Sequence, residues 1–178
     1  MCGRYNFNPN DIDYLKEHFE LFLNIPYGDI YPSSKGLVLF GDDHHIKGSL
    51  KTFGLKRKSL IINARQETVT EKPTFKNLKH CVVPCSAFYE WTPQKEMVTF
   101  YKEGQILYLA ALYEKDEFVI LTTNANASVK DVHPRMPLIL PENLISKWIF
   151  PENDVQSLLK TEPISLDRFR QFEQLSLF

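Results

Sequence analysis

Short runs in which apolar and polar residues alternate dominate this chain, and such alternation is typical of β-strands with one buried face. The runs are bounded by residues that favour turns, chiefly glycine, proline, asparagine and clusters of charge. The predicted strands lie at 2–7, 37–40, 46–50, 81–84, 88–91, 98–101, 105–113, 117–123 and 137–140. The pattern therefore predicts a strand-rich protein.

The turn residues between these runs predict how neighbouring strands connect. Gly41-Asp42-Asp43 separates two runs and indicates a hairpin. Lys102-Glu103-Gly104 and Glu114-Lys115-Asp116 divide 98–123 into three runs, which predicts an antiparallel meander. The segment 27–34, with two prolines and a glycine, predicts an irregular loop.

Helical periodicity is confined to a few segments. Asn8-Pro9 is typical of an N-cap and a first helical position, and the apolar spacing that follows predicts an amphipathic helix over 9–23. Its core-facing side chains are Ile12, Leu15, Phe19 and Phe22. Two short helices are predicted to start at Pro141-Glu142-Asn143 and Pro151-Glu152-Asn153.

Together these elements predict the α+β class, with a curved antiparallel sheet or barrel and peripheral helices. The 178 residues contain no stretch that resembles a linker, so a single domain over 1–178 is expected. A hydrophobic content of 43% is enough to build a packed core and excludes a composition typical of disorder.

Charge and cysteine content indicate which partners and which cellular compartment to expect. A net charge of −1 argues against a uniformly basic surface, but it leaves room for a local basic groove. Three cysteines without a signal-peptide pattern predict a reducing, cytoplasmic compartment. No apolar run reaches the ~18–20 residues of a membrane span, so no membrane association is expected, and the protein is predicted to be a monomer.

The opening Met1-Cys2 pair carries distinctive chemistry. Removal of Met1 would leave a cysteine with a thiol and an α-amine on one residue. The amine condenses with an aldehyde to an imine, and the thiol then closes a five-membered thiazolidine. An α-amine has a pKa near ~7.7–8.0, so a useful fraction is neutral at pH 7. A cysteine that merely falls at position 2 is the alternative.

Phe88-Tyr89-Glu90-Trp91 places a carboxylate among aromatic residues. Strand alternation puts Phe88 and Glu90 on one face. A buried glutamate has a raised pKa and suits general acid or base catalysis. The alternative is a glutamate that points outward from a half-buried strand.

Two further polar segments are candidates. In His133-Pro134-Arg135-Met136-Pro137 the two prolines stiffen the segment that carries the histidine, and histidine is the usual proton shuttle near neutral pH. The segment 62–68, Ile-Asn-Ala-Arg-Gln-Glu-Thr, taken alone predicts a helix cap with a solvated face.

No metal or cofactor site is predicted. Cys81 and Cys85 have three residues between them and no second cysteine pair, which is a poor zinc pattern. In a strand they would lie about 13 Å apart, too far for a disulfide, so both are interpreted as small buried side chains. His44-His45 lies beside two aspartates in a predicted turn and is a weak candidate for metal binding.

The motifs MCGRY, INARQET, CVVPCSAFYEW, AALYE, LTTNAN and HPRMPLIL follow one another in this order. The chain resembles the SRAP (SOS response-associated peptidase) family of abasic-site processing proteins from Met1 to about Trp148. The resemblance implies an α+β fold with a groove for single-stranded DNA. It also implies a DNA damage response role in the cytoplasm, at the nucleoid if the source is bacterial.

The resemblance implies the following roles. Cys2, freed by removal of Met1, attacks the ring-opened aldehyde of an abasic site and forms a stable thiazolidine crosslink. Asn63 orients the cysteine and the sugar, Glu90 positions the amine and relays protons, and His133 assists ring opening. Self-removal of Met1 is implied by the peptidase name.

The implied DNA contacts involve other residues. Arg4, Arg65 and Arg135 would hold phosphates, and Met136-Pro137 would wedge against a neighbouring base. Phe53 stands where the family has a tryptophan and would stack on a base without an indole N–H. The other departures are Ile30-Tyr31-Pro32-Ser33 in place of an Asn-Ala-Pro-Thr run, Ala87 where glycine is common, and an unusual C-terminal tail at 166–178.

Three alternatives remain at this point. A class II glutamine amidotransferase also begins Met-Cys-Gly, but it needs Arg-Gly-Pro-Asp and Asn-Gly segments that this chain lacks, and a glutaminase assay separates the two. A thiol peptidase acting on other proteins would need a substrate groove. A passive single-stranded DNA module would be unaffected by replacing Cys2.

Overall fold

The computed structural model describes residues 2–152 and 155–170 of the chain. Strands dominate in both ranges. They are β1 (Tyr5–Phe7), β2 (Gly28–Ile30), β3 (Lys35–Asp42), β4 (His45–Phe53), β5 (Leu55–Lys56), β6 (Leu60–Ile61), β7 (Asn63–Arg65), β8 (Lys79–Cys85), β9 (Ala87–Trp91), β10 (Met97–Tyr101), β11 (Leu107–Glu114), β12 (Glu117–Asn124), β13 (Arg135–Pro137), β14 (Ile139–Leu140) and β15 (Asp167–Arg170). The helices are α1 (Pro9–His18), α2 (Ile145–Ile149) and α3 (Val155–Leu159), and a 3₁₀ turn covers Glu142–Leu144.

The larger sheet closes into a barrel. β3 pairs with β4 and β8, β8 pairs with β11, β11 pairs with β12, and β12 returns to β4. These pairings are antiparallel except for β12–β4, which is parallel. Short β7 and β13 extend the two edges of β12. The predicted α+β class with a curved, barrel-like antiparallel core is confirmed, and the parallel pairings of β12 add to it.

A second, antiparallel sheet has the order β15-β10-β9-β1-β2. It carries both the N-terminal strand and the strand that holds Glu90. The predicted meander is therefore wrong in one respect. Of its three strands, β11 and β12 pair with each other, whereas β10 belongs to the second sheet and pairs with β9. A single bridge between Lys102 and Gln105 marks where the chain changes sheet.

Ser86 joins the two sheets at the step from β8 to β9. Its N–H donates to the Asn6 carbonyl over 2.8 Å, and its hydroxyl accepts from the Asn8 N–H over 2.7 Å and donates to the Asp11 carboxylate. These bonds tie β1 and the start of α1 to the barrel. The N-terminal strand is consequently fixed on both sides.

Helix α1 is shorter than predicted. It ends at His18, Glu20 takes a positive φ of 50°, and the Leu21 N–H donates to the Lys16 carbonyl over 2.9 Å. This closing turn points Phe22 outward with 98% of its surface exposed, so the prediction that Phe22 faces the core is wrong. The predicted start of the second short helix, at Pro151-Glu152-Asn153, falls partly outside the described residues, and α3 follows it at Val155–Leu159.

Aromatic side chains fill the space between the sheets. Phe53 and Phe118 stack at 5.2 Å inside the barrel, and Tyr5 of the second sheet meets Phe53 edge-on at 5.7 Å. All three are fully buried. Full burial of such a side chain contributes about 1.5–3 kcal/mol, so this cluster holds the sheets together. Within the described ranges, no helix is long and apolar enough to span a membrane.

Candidate active site

Cys2 lies just before β1, where the chain continues the line of the strand. β1 runs antiparallel to β9, with Tyr5 opposite Phe88, and the Tyr89 N–H donates to the Arg4 carbonyl over 3.1 Å. Extending this register from Tyr5–Phe88 past Arg4–Tyr89 places Gly3 opposite Glu90. The Cys2 side chain has no exposed surface, and its thiol lies 3.9 Å from the Arg4 carbonyl.

Burial controls the state of the Cys2 thiol. Desolvation raises its pKa well above its usual range, and the nearby Glu90 carboxylate raises it further. The thiol is therefore protonated at neutral pH. The effect of Glu90 also shows that this carboxylate lies within electrostatic range of Cys2.

Asn63 reaches the N-terminal segment from the barrel. It opens β7, which pairs in parallel with β12, with Asn63 opposite Ile120. Its side-chain amide donates to the Cys2 carbonyl over 3.2 Å. Its buried Oδ1 accepts no hydrogen bond from any described residue, so an acceptor is available beside Cys2. The helix-cap interpretation of 62–68 is wrong at this end, because Asn63–Arg65 is a strand.

Glu90 is buried, with 1% of its surface exposed, so the alternative of an outward-facing glutamate is wrong. Its neighbours Phe88 and Tyr89 are buried as well, while Trp91 at the strand end is 37% exposed. Desolvation raises the pKa of Glu90, and the charge of His133 opposes this rise. Glu90 therefore lies near both Cys2 and His133.

His133 stands in the loop before β13. Its Nδ1 lies 3.0 Å from both the N–H and the carbonyl of Arg135, so this nitrogen is committed to the backbone in either tautomer. Proton exchange therefore falls to Nε2. The structure thus brings together the four side chains that the sequence singled out, from the segment before β1, from β7 and β9, and from the loop before β13.

Arg135, for which a phosphate contact is predicted, is engaged by other residues of the protein. Its guanidinium forms a bidentate ion pair with Glu67, over 2.6 and 3.0 Å, and also donates to Asn124 Oδ1 over 2.8 Å and to the Thr122 carbonyl over 2.7 Å. The arginine lowers the pKa of Glu67. With both terminal nitrogens engaged inside the protein, Arg135 is a clamp between β12, β13 and the turn after β7.

Arg4 is engaged as well. Its Nε donates to Asp29 over 3.0 Å, Nη2 forms a short contact with the same carboxylate, and Nη1 lies 3.7 Å from the Met97 sulfur. Its guanidinium carbon lies over the rings of Tyr31 and Tyr89. Arg4 is thus engaged within the protein in this structure, and its predicted contact with a phosphate stays a prediction.

Arg65, at the end of β7, differs from the other two arginines. It is exposed, and its guanidinium makes no hydrogen bond to any residue of the described ranges. Of the three arginines with predicted phosphate contacts, Arg65 is the exposed one, and its role stays a prediction.

Phe53, Met136 and Pro137, the predicted base contacts, are buried in this structure. Phe53 and Met136 have no exposed surface, and Pro137 is buried beside Met136 in β13. The Met136 sulfur accepts from the Asn126 N–H over 3.4 Å. In this arrangement the three side chains pack the core, and their contacts with a base stay a prediction.

Sequence reasoning missed two acidic residues that organise the site. Asp29 accepts hydrogen bonds from Arg4, from Asn6 over 2.7 Å and from the Tyr89 hydroxyl over 2.8 Å. Glu67 was part of a quoted motif, but it was given no role. Neither is close in sequence to its arginine, so no local pattern marked the pair; two unmatched acidic residues near the motifs were the signal available.

Comparison with known proteins gives a consistent family. Residues 1–172 match the family model described as SOS response associated peptidase (SRAP). The chain is 31% identical to "Abasic site processing protein YoqW" of Bacillus subtilis, over 99% of this chain and 93% of the relative. It is 29% identical to "Abasic site processing protein YedK" of Escherichia coli, over 85% and 81%.

Solved structures share the fold. A crystal structure of a Bordetella bronchiseptica protein superimposes with a TM-score of 0.82 at 23% identity, covering 96% of this chain and all of the other. One from Bacteroides thetaiotaomicron gives 0.78 at 20% identity, covering 97% and 93%.

Proposed function

Because the chain belongs to the SOS response associated peptidase (SRAP) family, we propose that it processes abasic sites in DNA by capturing them covalently. The substrate is an abasic site in single-stranded DNA, and the reacting residue is Cys2 after Met1 has been removed. The product is a thiazolidine that links the protein to the lesion and protects the strand. The observation that carries this proposal is that Asn63 binds the Cys2 carbonyl and that Glu90 lies within electrostatic range of both Cys2 and His133.

The chemistry balances without an oxidant or a cofactor. The abasic sugar opens from hemiacetal to aldehyde by proton transfer. The Cys2 amine adds to the aldehyde carbon, and loss of one water gives an imine. The thiol sulfur then bonds to the imine carbon while its proton passes to the nitrogen. One C–N and one C–S bond form for each water released.

Removal of Met1 is required for this sequence. While Met1 is attached, the nitrogen of Cys2 is an amide that cannot form an imine. The thiol at the same stage is buried and protonated, which makes it a poor nucleophile toward other proteins. This state argues for a Cys2 that acts after processing, and self-removal of Met1 by this site is part of the proposal.

The surrounding side chains supply orientation and proton transfer. Asn63 holds the Cys2 carbonyl through Nδ2 and offers its buried Oδ1 to the amine or to a sugar hydroxyl. Glu90, whose pKa is raised by burial, positions the amine and relays protons. His133 serves ring opening through Nε2.

A capture assay with an abasic single-stranded oligonucleotide tests the proposal. Cys2→Ala keeps an α-amine but has no thiol, so it should form only an imine that survives heating after borohydride reduction and is lost without it. The matched variants Cys81→Ala and Cys85→Ala remove other buried thiols and should capture as the wild type does. A heat-stable adduct with unreduced Cys2→Ala contradicts the thiazolidine.

A further inference from the structure

Tyr31 is an exposed aromatic residue on the border of the site. It follows β2 and has 47% of its surface exposed. The Arg4 guanidinium carbon lies 4.9 Å from the centre of its ring and 4.6 Å from the centre of the Tyr89 ring. A guanidinium plane therefore supports the exposed ring from within.

This support is rigid. The Asp29 carboxylate holds Arg4 through two nitrogens and also accepts from the Tyr89 hydroxyl over 2.8 Å and from Asn6 over 2.7 Å. Burial acts to raise the pKa of Asp29, but these hydrogen bonds outweigh it, so the carboxylate is ionised at neutral pH. A ring held in one orientation loses little conformational entropy when a ligand stacks on it.

The position of this ring relates it to the reacting residue. Arg4 is two residues from Cys2, and Tyr89 directly precedes Glu90. A contact that only joins β1 to β2 would explain why Tyr89 is buried, with 9% of its surface exposed. Such a contact would not require a second aromatic ring, that of Tyr31, to be half open to solvent.

The local charge indicates which part of a nucleic acid would bind here. The Asp29 carboxylate largely cancels the Arg4 charge, so a phosphate would gain little attraction. A nucleobase stacks on a flat apolar surface and does not require that surface to carry a charge. Proteins hold single strands without sequence preference by stacking bases on aromatic side chains.

Building on the proposed function, we propose that Tyr31 is a stacking platform for the nucleobase adjoining the abasic site. The base would lie on the exposed face of the ring, backed by Arg4 and Tyr89. This contact would take the place of the stacking predicted for Phe53, which is buried in this structure. It would also hold the DNA strand so that the abasic sugar faces Cys2.

Equilibrium binding to a single-stranded oligonucleotide with a tetrahydrofuran abasic analogue isolates this contact, because the analogue has no aldehyde to capture. Tyr31→Ala should weaken binding about tenfold, within the range measured when stacking aromatics are truncated. Tyr31→Phe keeps the ring and should bind as the wild type does. Tyr14→Ala, which removes an equally exposed tyrosine on α1, should have no effect.

Substrates that lack the neighbouring base make the test specific. In two further oligonucleotides, the 5′ or the 3′ neighbour of the analogue is also made abasic. The Tyr31→Ala defect should disappear with one of them and persist with the other. Wild-type affinity for Tyr31→Ala, or a defect that is equal on all three substrates, overturns the platform.

The outcome is distinguishable from failure of the proposed function. Covalent capture by wild-type protein of an aldehyde-bearing site reports on Cys2 alone. A protein that captures normally while Tyr31→Ala binds normally retains the function and loses the platform. A protein that captures nothing loses the function whatever Tyr31 does.

Discussion

At the scale of single residues, burial sets the proton affinities on which the site depends. Cys2 and Glu90 are both removed from solvent, and desolvation raises the pKa of each. A protonated thiol is a poor nucleophile, and a carboxyl with a raised pKa is better suited to proton transfer near neutral pH than an exposed one. The arrangement suits a nucleophile that must wait for a rare lesion.

Glu90 should destabilise the fold as pH rises. The pKa of Glu90 in the folded protein lies above the ordinary value of 4.5. The free energy of unfolding therefore falls as pH rises from about 4.5 through the folded pKa, because the buried carboxyl must ionise there. Glu90→Gln cannot ionise and should have a higher melting temperature than the wild type at pH 8, with the difference shrinking toward pH 4. In a chain of this size, 1 kcal/mol corresponds to about 2–4 °C. Thermal unfolding between pH 4 and 8 measures this, on proteins whose masses show the same N-terminus. A difference that is independent of pH would contradict it.

Glu90 and His133 should act on rate rather than on binding. A positioned general acid or base contributes about 10²–10⁴-fold, so Glu90→Gln and His133→Ala should slow capture within that range. Their affinity for the tetrahydrofuran analogue should stay within a few-fold of wild type. Single-turnover capture from pH 5 to 9 is the measurement, after Met1 removal has been checked. Wild-type rates for both variants throughout would make these residues structural.

At the scale of elements, the loop before β13 is held by the C-terminal segment. Asn126 donates to the carbonyls of Pro163 and Ile164 over 3.0 and 2.9 Å, and its Oδ1 accepts from the N–H and hydroxyl of Ser128. β15 then pairs with β10, the neighbour of the Glu90 strand. The segment that places His133 is therefore fastened from outside the barrel.

Asn126→Ala should loosen this fastening. It leaves buried or half-buried carbonyl and N–H groups without their partner, at about 1–3 kcal/mol for each unsatisfied group. We expect a melting temperature lower by several degrees and slower capture. Asn126→Asp keeps the acceptor for Ser128 but loses both donors, so it should fall between wild type and Asn126→Ala. Unchanged melting in Asn126→Ala would show that β15 pairing alone holds the loop.

How far elements could be predicted depended on whether a local pattern defines them. The apolar runs located β3, β4, β11 and β12, but one-sided burial holds only for β4, because the middle of β3 and almost all of β11 and β12 are buried on both faces. The end of α1 was misplaced because Phe22 fits helical spacing although a positive φ at Glu20 ends the helix first. The closure of β12 onto β4 and β7 joins segments far apart in sequence, which no local period reveals.

The residues of the candidate site also fall into those that the sequence marked and those that it did not. Cys2, Glu90 and His133 stood out by residue type and setting. The partners of Arg4 and Arg135 did not, because Asp29 and Glu67 lie 25 and 68 residues away and meet them only in the folded sheet. The predicted DNA contacts of Phe53 and Met136 rested on the family resemblance, because an apolar side chain in a strand gives no sign of which face is open.

At the scale of the whole molecule, DNA must be held by a protein of net charge −1. Two of the three arginines near the motifs are neutralised by Asp29 and Glu67, which leaves Arg65 exposed. The electrostatic share of binding should therefore be modest.

Salt dependence measures this share. Each phosphate contact on a single strand contributes about 0.7 to the slope of log affinity against log salt. Arg65→Ala should reduce the steepness of that slope by about 0.7, whereas Arg135→Ala should leave the slope unchanged and lower the melting temperature. Fluorescence binding titrations between low and moderate salt give both slopes. Equal losses of slope in the two variants would show that Arg135 leaves Glu67 to bind phosphate.

The intact mass of the protein after incubation with an abasic single-stranded oligonucleotide tests the central claim most directly. We predict a single covalent product whose mass equals the chain without Met1 plus the oligonucleotide minus one water, with the DNA on Cys2 in the digested peptide. An adduct that retains Met1, or one attached to another residue, would contradict the account.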